Sequence, residues 1–353
     1  MSLYGINTRT RPVGSTAGPD PGVAELKAAL AANEATRGFL RHLDDGGAPE
    51  VAVTFPSEDE LAPTLTELAV PSEELNEVIA TVPNPDRTPG AWWLLERCVH
   101  FLRKRMGAVG DIPFPELPGP LEERYPYFYV HVFLAVLPSV QQYHRARGIS
   151  ERVSRLSLVD LGRNLTVHRM RFGVRGLHNP GWFAVHFSGG VYDLGRLQFQ
   201  RSRLDEAMAA SLQANGITLA ARDPALEVHI PEFWGSLTPE ACQRSFERAK
   251  HFFAQHFPEE RYYVAVCHSW LLDDQLQEYL PEESNIVQFQ RRFNLVGGTD
   301  NDSAIARFVF GRVGSPISDM PRQTRLEEAI GAHLEAGRHW REGAGWALLD
   351  PRA

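Results

Sequence analysis

The chain has 353 residues, of which 43% are hydrophobic and 23% charged, so it can bury one large or two ordinary cores, and we expect two domains. Its net charge of −8, without a basic block, argues against a nucleic-acid partner. Cys98, Cys242 and Cys267 lack metal-ligand spacing, and no apolar run reaches the length of a bilayer span. We therefore expect a cytoplasmic protein with no zinc site, disulfide framework or membrane partner.

The first half of the chain is predicted to be helical. Residues 1–21 are rich in Gly, Pro, Ser and Thr and lack periodic hydrophobicity, which indicates a flexible tail. Amphipathic patterns at 89–106 and from 150 to about 174 predict helices. Residues 22–175 are accordingly interpreted as a helical N-terminal domain.

The run YPYFYVHVFLAVLPSV, residues 125–140, is apolar on all sides and predicts a helix that is buried among others. It could also line a pocket for an aliphatic chain. We favour plain core, because aromatic residues of the core far outnumber those that line ligand pockets.

The pattern changes after residue 175, and residues 176–353 predict a mixed α/β domain. The segments WFAVHF (182–187) and LGRLQFQR (194–201) flank a Ser-Gly-Gly turn and predict an antiparallel hairpin. Three polar side chains of the second arm share one face: Arg196, Gln198 and Gln200. That face either meets solvent or lines a cleft in which amide and guanidinium groups orient a polar substrate.

Residues 226–257 predict a strand, a loop and a helix. Thr238 is a good N-cap, and Pro239 suits the first helical position. The free N–H groups of such a helix start attract anions, and Gly235 in the preceding loop lets the backbone approach a ligand. The alternative is that Gly235 and Ser236 merely complete a turn. His229 interrupts the apolar strand and is either a structural group or a base.

The next strand, predicted at 262–270, ends in His268 and Ser269, and the end of a central strand is well placed for function. These two side chains point to opposite faces and no Gly-x-Ser-x-Gly elbow surrounds them, so they are not a hydrolase dyad. Helical signals follow at 273–280, which includes Tyr279, and after residue 284. A last hairpin at 293–297 and 304–311 and a helix at about 324–340 complete the prediction.

This order of elements, together with the segments LGRLQFQR, LEVHIPEFWGSLTPEAC, VCHSWLLDDQLQEYLP and SNIVQFQRRF, resembles a known family. The family consists of two-domain bacterial acyltransferases with a helical N-terminal domain and a GNAT-like C-terminal domain. It is similar to the N-acyltransferases that decorate glycopeptide antibiotics of the teicoplanin type. The likeness is specific from about 182 to 310 and loose before 150.

The resemblance implies an α+β or mixed α/β fold in which a mostly antiparallel sheet is flanked by helices. It also implies an acyl-CoA co-substrate, no metal, and direct transfer to the amine of a small molecule or natural product. His229 is then the candidate base and Tyr279 a candidate acid. The donor would be bound by Val228, Ile230, Gly235, Ser236, Leu237, Thr238 and Ser269. The acceptor would be bound by Trp182, His186, Arg196, Gln198, Gln200 and His268.

The loop PEFWGSLTP departs from the wider superfamily, whose phosphate loop is richer in Gly and Arg. The free N–H groups at the start of the helix can still attract the phosphates. Two other functions stay open from the residues: a non-catalytic acyl-CoA-binding or sensing module, and a thioester hydrolase, which the missing nucleophile elbow disfavours. The oligomeric state cannot be read from the sequence.

Overall fold

A computed structural model of the protein describes residues 20–47, 49–310 and 320–349. The predicted flexible tail, as far as residue 19, lies outside the described residues. No helix in the described ranges is both long enough and apolar enough to cross a membrane.

Fifteen α-helices lie in the described ranges. Their bounds are α1 Val23–Ala32, α2 Glu34–Asp45, α3 Glu58–Glu67, α4 Ser72–Ala80, α5 Pro89–Arg103, α6 Gly119–Arg124, α7 Phe128–Ala146, α8 Glu151–Leu158, α9 Asp160–Phe172, α10 Pro180–Phe187, α11 Glu206–Ala214, α12 Pro239–His256, α13 Asn285–Gln290, α14 Asp302–Ile305 and α15 Arg325–Glu335. Short 3₁₀ turns cover Trp270–Leu272 and Asp274–Glu278.

Six strands of the described residues form one sheet in the order β1-β2-β3-β4-β6-β5. Their bounds are β1 Val191–Asp193, β2 Gln198–Arg203, β3 Pro224–His229, β4 Val264–Ser269, β5 Asn294–Asp300 and β6 Arg341–Leu348. Only β3 and β4 pair in parallel, and every other neighbouring pair is antiparallel. The expected fold class, a helical N-terminal region followed by a mixed and mostly antiparallel sheet, is confirmed.

The described residues cluster into two units. One comprises the residues up to 105 with 113–138 and 159–184, and the other comprises 106–112, 139–158 and the residues from 185 onward. The first unit is helical, and its core includes ring contacts of Phe114 with Phe39, Tyr129 and Phe133. The bulk of the run 125–140 is buried.

The second unit has an apolar core on each face of the sheet. Residues of α12, among them Phe246, Ala249 and Phe253, pack on one face against Phe199 and Val228. The other face is covered by residues of α11, and this smaller cluster consists of Leu204, Met208, Leu212, Ala225, Val264, Val266 and Trp346. The side chains of β2, β3 and β4 that do not point toward α12 therefore lie on the opposite face of the sheet.

The predicted strand at 182–187 is wrong, because these residues belong to α10. Positions 183–187 are all buried, and a short run that is apolar on every side does not distinguish a strand from a buried helix. Pro180 at the helix start gives the local reason for a helix. The hairpin exists farther along the chain, where β1 pairs with β2.

The predicted second arm of the last hairpin, 304–311, is also wrong where the structure describes it. Residues 302–305 form α14, and Ala306–Phe310 form a π-helix. The partner of β5 is β6, which lies beyond α15 and has the Gly-rich sequence REGAGWAL. The single helix predicted from residue 150 is two, α8 and α9, which are separated at Val159.

Candidate active site

The sheet opens between β3 and β4. These two strands, which the structure describes in full, share only two residue pairs, although β3 continues to His229 and β4 to Ser269. The two pairs are Leu226 with Ala265 and Glu227 with Val266. On its other side β3 stays paired with β2 as far as His229, opposite Gln198. The backbone of β3 beyond Glu227 therefore lies outside the β3–β4 ladder.

His229 stands at this opening and is partly exposed, so its ring is not sealed in the core. Its Nε2 atom lies 2.9 Å from Oε1 of Gln200 in the neighbouring strand. The amide of Gln200, which is 1% exposed, donates from Nε2 to Oδ1 of Asp111 at 3.1 Å. Asp111 is held beside β2 because the N–H of Gly110 donates to the carbonyl of Arg201 at 2.9 Å. The imidazole is thus anchored by a chain of two hydrogen bonds.

Polar side chains of three adjacent strands share one face of the sheet. Residues alternate across a strand, and the register places Gln198 beside His229 and Gln200 beside Glu227. His268 joins them, since its Nδ1 lies 3.4 Å from Oε1 of Glu227. The intervening side chains point to the apolar core under α12; they are Phe199, Val228 and Cys267. The predicted shared face of Gln198 and Gln200 is therefore present, and it also carries the imidazole of His229.

Glu227 and His268 form an ion pair on this face, and Asp205 extends it with Oδ2 3.5 Å from Nε2 of His268. Burial opposes ionisation of Glu227, but the hydrogen bond with His268 and the charges of the two nearby histidines outweigh it and lower the pKa of the carboxyl. The hydrogen bond with Glu227 raises the pKa of His268 against the effect of its partial burial. The cluster keeps negative charge beside His229.

The start of α12 follows the prediction. The hydroxyl of Thr238 accepts the N–H of Ala241 at 3.3 Å, and Pro239 occupies the first turn. In the preceding loop Gly235 has a φ of +71°, which favours glycine, and both Gly235 and Ser236 are exposed. Leu237, in contrast, is 8% exposed and packs in the core, so only its backbone is available to a ligand.

A cleft of about 570 Å³ lies beside the first turns of α12. It is lined by Pro239, Phe246, Gln288, Arg291, Arg292, Asn294, Trp346, Ala347 and Leu348. The guanidinium of Arg292 lies 4.8 Å from the centroid of Phe246 and donates to Oε1 of Gln243 at 2.8 Å. Burial lowers the pKa of Arg292, and within the described ranges no carboxylate forms an ion pair with it. The cleft therefore joins a helix N-terminus to a partly buried positive charge.

Tyr279, the predicted acid, is not in contact with His229. It ends the 3₁₀ turn at 274–278, where its hydroxyl lies 3.0 Å from Nδ1 of His333 and accepts a hydrogen bond from Arg338. Its ring packs against Trp340 in a separate apolar cluster. The expected helix is a 3₁₀ segment, because Asp273 caps it and the chain turns again at Pro281.

Arg196 does not share a strand face with Gln198 and Gln200, because β2 begins only at Gln198. Its guanidinium donates to the carbonyl of Pro231 at 3.0 Å and so braces the loop that follows β3. The hydroxyl of Ser269 accepts the N–H of Leu271 at 3.2 Å and caps the 3₁₀ turn after β4. In this structure both side chains hold neighbouring backbone segments in place.

Trp182 and His186 both lie in α10 rather than in a strand. The indole of Trp182 donates to Oδ2 of Asp160 at 3.0 Å. His186 is 1% exposed, with Nδ1 2.9 Å from the carbonyl of Ser157. The ring of His186 is thus enclosed by the protein in this structure, and its role in acceptor binding stays a prediction.

Three residues of the site were not predicted from the sequence: Glu227, Asp111 and Arg292. Glu227 could have been found, since it stands two residues before His229 and a strand places such residues on one face. Asp111 is 89 positions from Gln200, and Arg292 is 49 from Gln243, so no local pattern links them. In the part of the chain that is described, no cluster of three or more His, Cys, Asp or Glu side chains is arranged to hold a metal ion.

Two family models match the chain: an N-acyltransferase N-terminal domain over residues 59–189 and a GNAT-like C-terminal domain over residues 191–347. No match was found among curated proteins.

Among solved structures, an acyltransferase in complex with decanoyl-CoA and teicoplanin is 37% identical, with a TM-score of 0.83. An acyltransferase with CoA and 10C-teicoplanin and an acyltransferase mutant with octanoyl-CoA are each 36% identical, with the same TM-score. Each comparison covers 94% of this chain and 100% of the other. The chain therefore belongs to the family of two-domain acyltransferases that join an N-acyltransferase N-terminal domain to a GNAT-like C-terminal domain.

Proposed function

We propose that this protein transfers an acyl group directly from acyl-CoA to the amine of a natural product. The observation that carries the proposal is the opening between β3 and β4 beside the partly exposed ring of His229. The similar acyltransferases bind octanoyl-CoA, decanoyl-CoA and teicoplanin, which makes a glycopeptide amine the first acceptor to test.

In this proposal the donor lies along the part of β3 beyond Glu227, which is outside the β3–β4 ladder. Backbone groups of Val228 and Ile230 that lie outside the β3–β4 ladder hydrogen-bond the pantetheine amides. The diphosphate is held at the start of α12 by N–H groups near Thr238, with Gly235 and Ser236 in the exposed loop. This arrangement puts the thioester beside His229, at the opening between β3 and β4.

The acceptor amine approaches from the polar face that carries Gln198, Gln200 and His268. An amine is protonated at neutral pH, so the carboxylate of Glu227 attracts its cation to the face. His229 takes one proton from the ammonium group, and the neutral nitrogen then attacks the thioester carbon. The carbon–sulfur bond breaks while the second proton of the nitrogen passes to the departing sulfur, so CoA leaves as the thiol. Backbone N–H groups of the opened strand stabilise the charge that forms on the carbonyl oxygen.

Direct transfer is favoured over an acyl-cysteine intermediate. Cys242 and Cys267 are 1% and 0% exposed, and burial raises the pKa of both thiols. A thiol in this environment is a poor nucleophile, since the thiolate is the reactive form. The three described cysteines are free, which also supports the proposed cytoplasmic location.

We propose two domains: residues 22–175 form the helical N-terminal domain, and residues 176–353 form the acyltransferase domain. The family matches over residues 59–189 and 191–347 support a division into two domains.

The test is incubation of the protein with a panel of acyl-CoAs and amines, including a deacylated glycopeptide, while released CoA and the acylated product are measured together. We expect product to form in equal amount to CoA. CoA release without any amine would instead identify a thioester hydrolase. Stabilisation by acyl-CoA without turnover on any acceptor would identify a non-catalytic binding module.

A further inference from the structure

The hydrogen-bond chain from Asp111 through Gln200 to His229 has a direction. A carboxylate only accepts hydrogen bonds, so the Gln200 atom that faces Asp111 at 3.1 Å must be the amide nitrogen. The carbonyl oxygen of the same amide then faces His229, at 2.9 Å from Nε2. Because a carbonyl oxygen cannot donate, the hydrogen of this bond must lie on Nε2.

We infer that Asp111 and Gln200 are positioning residues that hold neutral His229 with its hydrogen on Nε2. This inference rests on the proposed function for its catalytic consequence, but the hydrogen position is a property of the protein itself. In the imidazolium both nitrogens donate, so the bond to Gln200 persists when the ring takes up a proton. The ring need not turn during the reaction.

The burial of Gln200 lets this hydrogen-bond chain fix the position of the hydrogen on His229. Gln200 is 1% exposed, so water does not compete for its amide, whereas Asp111 is exposed. The backbone N–H of Gly110 donates to Arg201, and the guanidinium of Arg201 donates to the carbonyl of Gly107 at 3.0 Å. These contacts fix the segment that carries Asp111 against β2.

The substitution Asp111→Asn tests the direction of the chain. An asparagine side chain can donate to the carbonyl of Gln200, which lets the Gln200 amide turn over and present its nitrogen to His229. We expect the hydrogen of neutral His229 to move to Nδ1, and kcat to fall about tenfold to 100-fold with little change in KM. Gln200→Glu offers only acceptors to the ring, so we expect it to keep the hydrogen on Nε2.

The primary readout is the nitrogen NMR spectrum of ¹⁵N-histidine-labelled protein at about pH 8, where a free imidazole is neutral. The chain has 13 histidines, so the signals of His229 are identified by their loss in His229→Gln. Asp45→Asn is the matched control: it removes the same charge from an exposed carboxylate of α2, and its spectrum and kcat should equal those of the wild type.

A wild-type ring with its hydrogen on Nδ1, or an unchanged spectrum in Asp111→Asn, would overturn the inference. If the spectrum changes as expected but no acceptor is acylated, the positioning chain stands and the proposed transferase function fails. If acylation occurs but Asp111→Asn keeps its kcat, the function stands and the positioning role fails.

Discussion

His229 combines the properties that a base for amine acylation needs. It is partly exposed at the mouth of the opening, its Nε2 is held by Gln200, and the carboxylate of Glu227 lies on the same face. An imidazole titrates near neutral pH and can therefore accept a proton from an amine under physiological conditions.

The substitution His229→Gln should lower kcat by about 10²-fold to 10⁴-fold, which is the usual contribution of a general base. KM for the donor should change little, because the proposed donor contacts are made by backbone groups of β3. His251→Gln, on the exposed face of α12, is the control and should keep full activity. Steady-state kinetics with one acyl-CoA and one amine make the measurement. A loss smaller than about tenfold would mean that His229 is not the base.

The pair of Glu227 and His268 gives a pH-dependent contribution to the free energy of unfolding. The pKa of Glu227 is lowered, so its contribution is present above the unfolded value near 4.5 and is lost as the pH falls through the folded pKa. The pKa of His268 is raised, so its contribution is present below the unfolded value near 6.5 and is lost as the pH rises through the folded pKa. The pair is therefore most stabilising between these two values.

We expect His268→Gln to reduce the free energy of unfolding by about 0.2–1 kcal/mol within that window, because the side chain of His268 is 38% exposed and solvent screens the charges. The difference from the wild type should shrink toward pH 8 and toward pH 3, which are about one and a half units outside the window. Urea unfolding at a series of pH values measures it. A difference that is constant with pH would show that packing, not charge, is involved.

At the residue scale, the sequence was sufficient where a role depends on neighbours in the chain. Gln198 and Gln200 share a face because side chains alternate along a strand. The role of Asp111 could not be predicted, since its contact with Gln200 depends on how distant segments of the chain pack. The contacts of Tyr279 with His333 and Arg338 depend on packing in the same way, and its role as an acid stays a prediction.

At the scale of elements, α12 was predictable and α10 was not, for one physical reason. Thr238 and Pro239 mark the start of α12, and its buried residues recur every three or four positions. The end of α10 is buried all round, so periodicity carries no information there. The Gly-rich strand β6 was not predicted, because glycine is depleted in strands. Glycine within a strand instead marks a site where another backbone approaches closely.

Gly343 in β6 is such a close approach. A Cβ at this position would lie 2.3 Å from the carbonyl oxygen of Leu272 and 2.9 Å from the N–H of Asp273, and both are backbone atoms that cannot move aside easily. The 3₁₀ turn that follows β4 packs here, directly after His268 and Ser269. This glycine thus lets the end of β4 pass β6 at close range.

Gly343→Ala should therefore destabilise the protein by about 1–3 kcal/mol, the usual cost of forcing an extra methyl group into a packed site. Chemical unfolding followed by circular dichroism gives the value. Gly119→Ala is the matched control, because a Cβ at Gly119 meets nothing within 4 Å, and its stability should stay within about 0.5 kcal/mol of the wild type. Equal effects of the two substitutions would contradict the argument.

On the scale of the whole molecule, charge raises a question about the donor. The chain carries a net charge of −8, and CoA adds a diphosphate and a 3′-phosphate of the same sign. Attraction must then come from a local positive site rather than from the overall field. The cleft beside α12 offers such a site, since it combines the helix start with Arg291 and Arg292. Arg291 is already paired with Glu282 at 2.8 Å, which leaves Arg292 as the stronger candidate.

CoA should raise the melting temperature of the protein. At a concentration of a hundred times its dissociation constant, its binding adds about 2.7 kcal/mol to the free energy of unfolding. The shift should shrink as salt increases from about 10 mM to 1 M, because the Debye length falls from about 30 Å to 3 Å. Arg292→Gln should remove much of both the shift and its salt dependence, while Arg261→Gln, an exposed arginine that does not line the cleft, should change neither. If Arg292→Gln binds CoA as the wild type does at every salt concentration, the nucleotide end of the donor lies elsewhere, and the N–H groups at the start of α12 must supply the attraction alone.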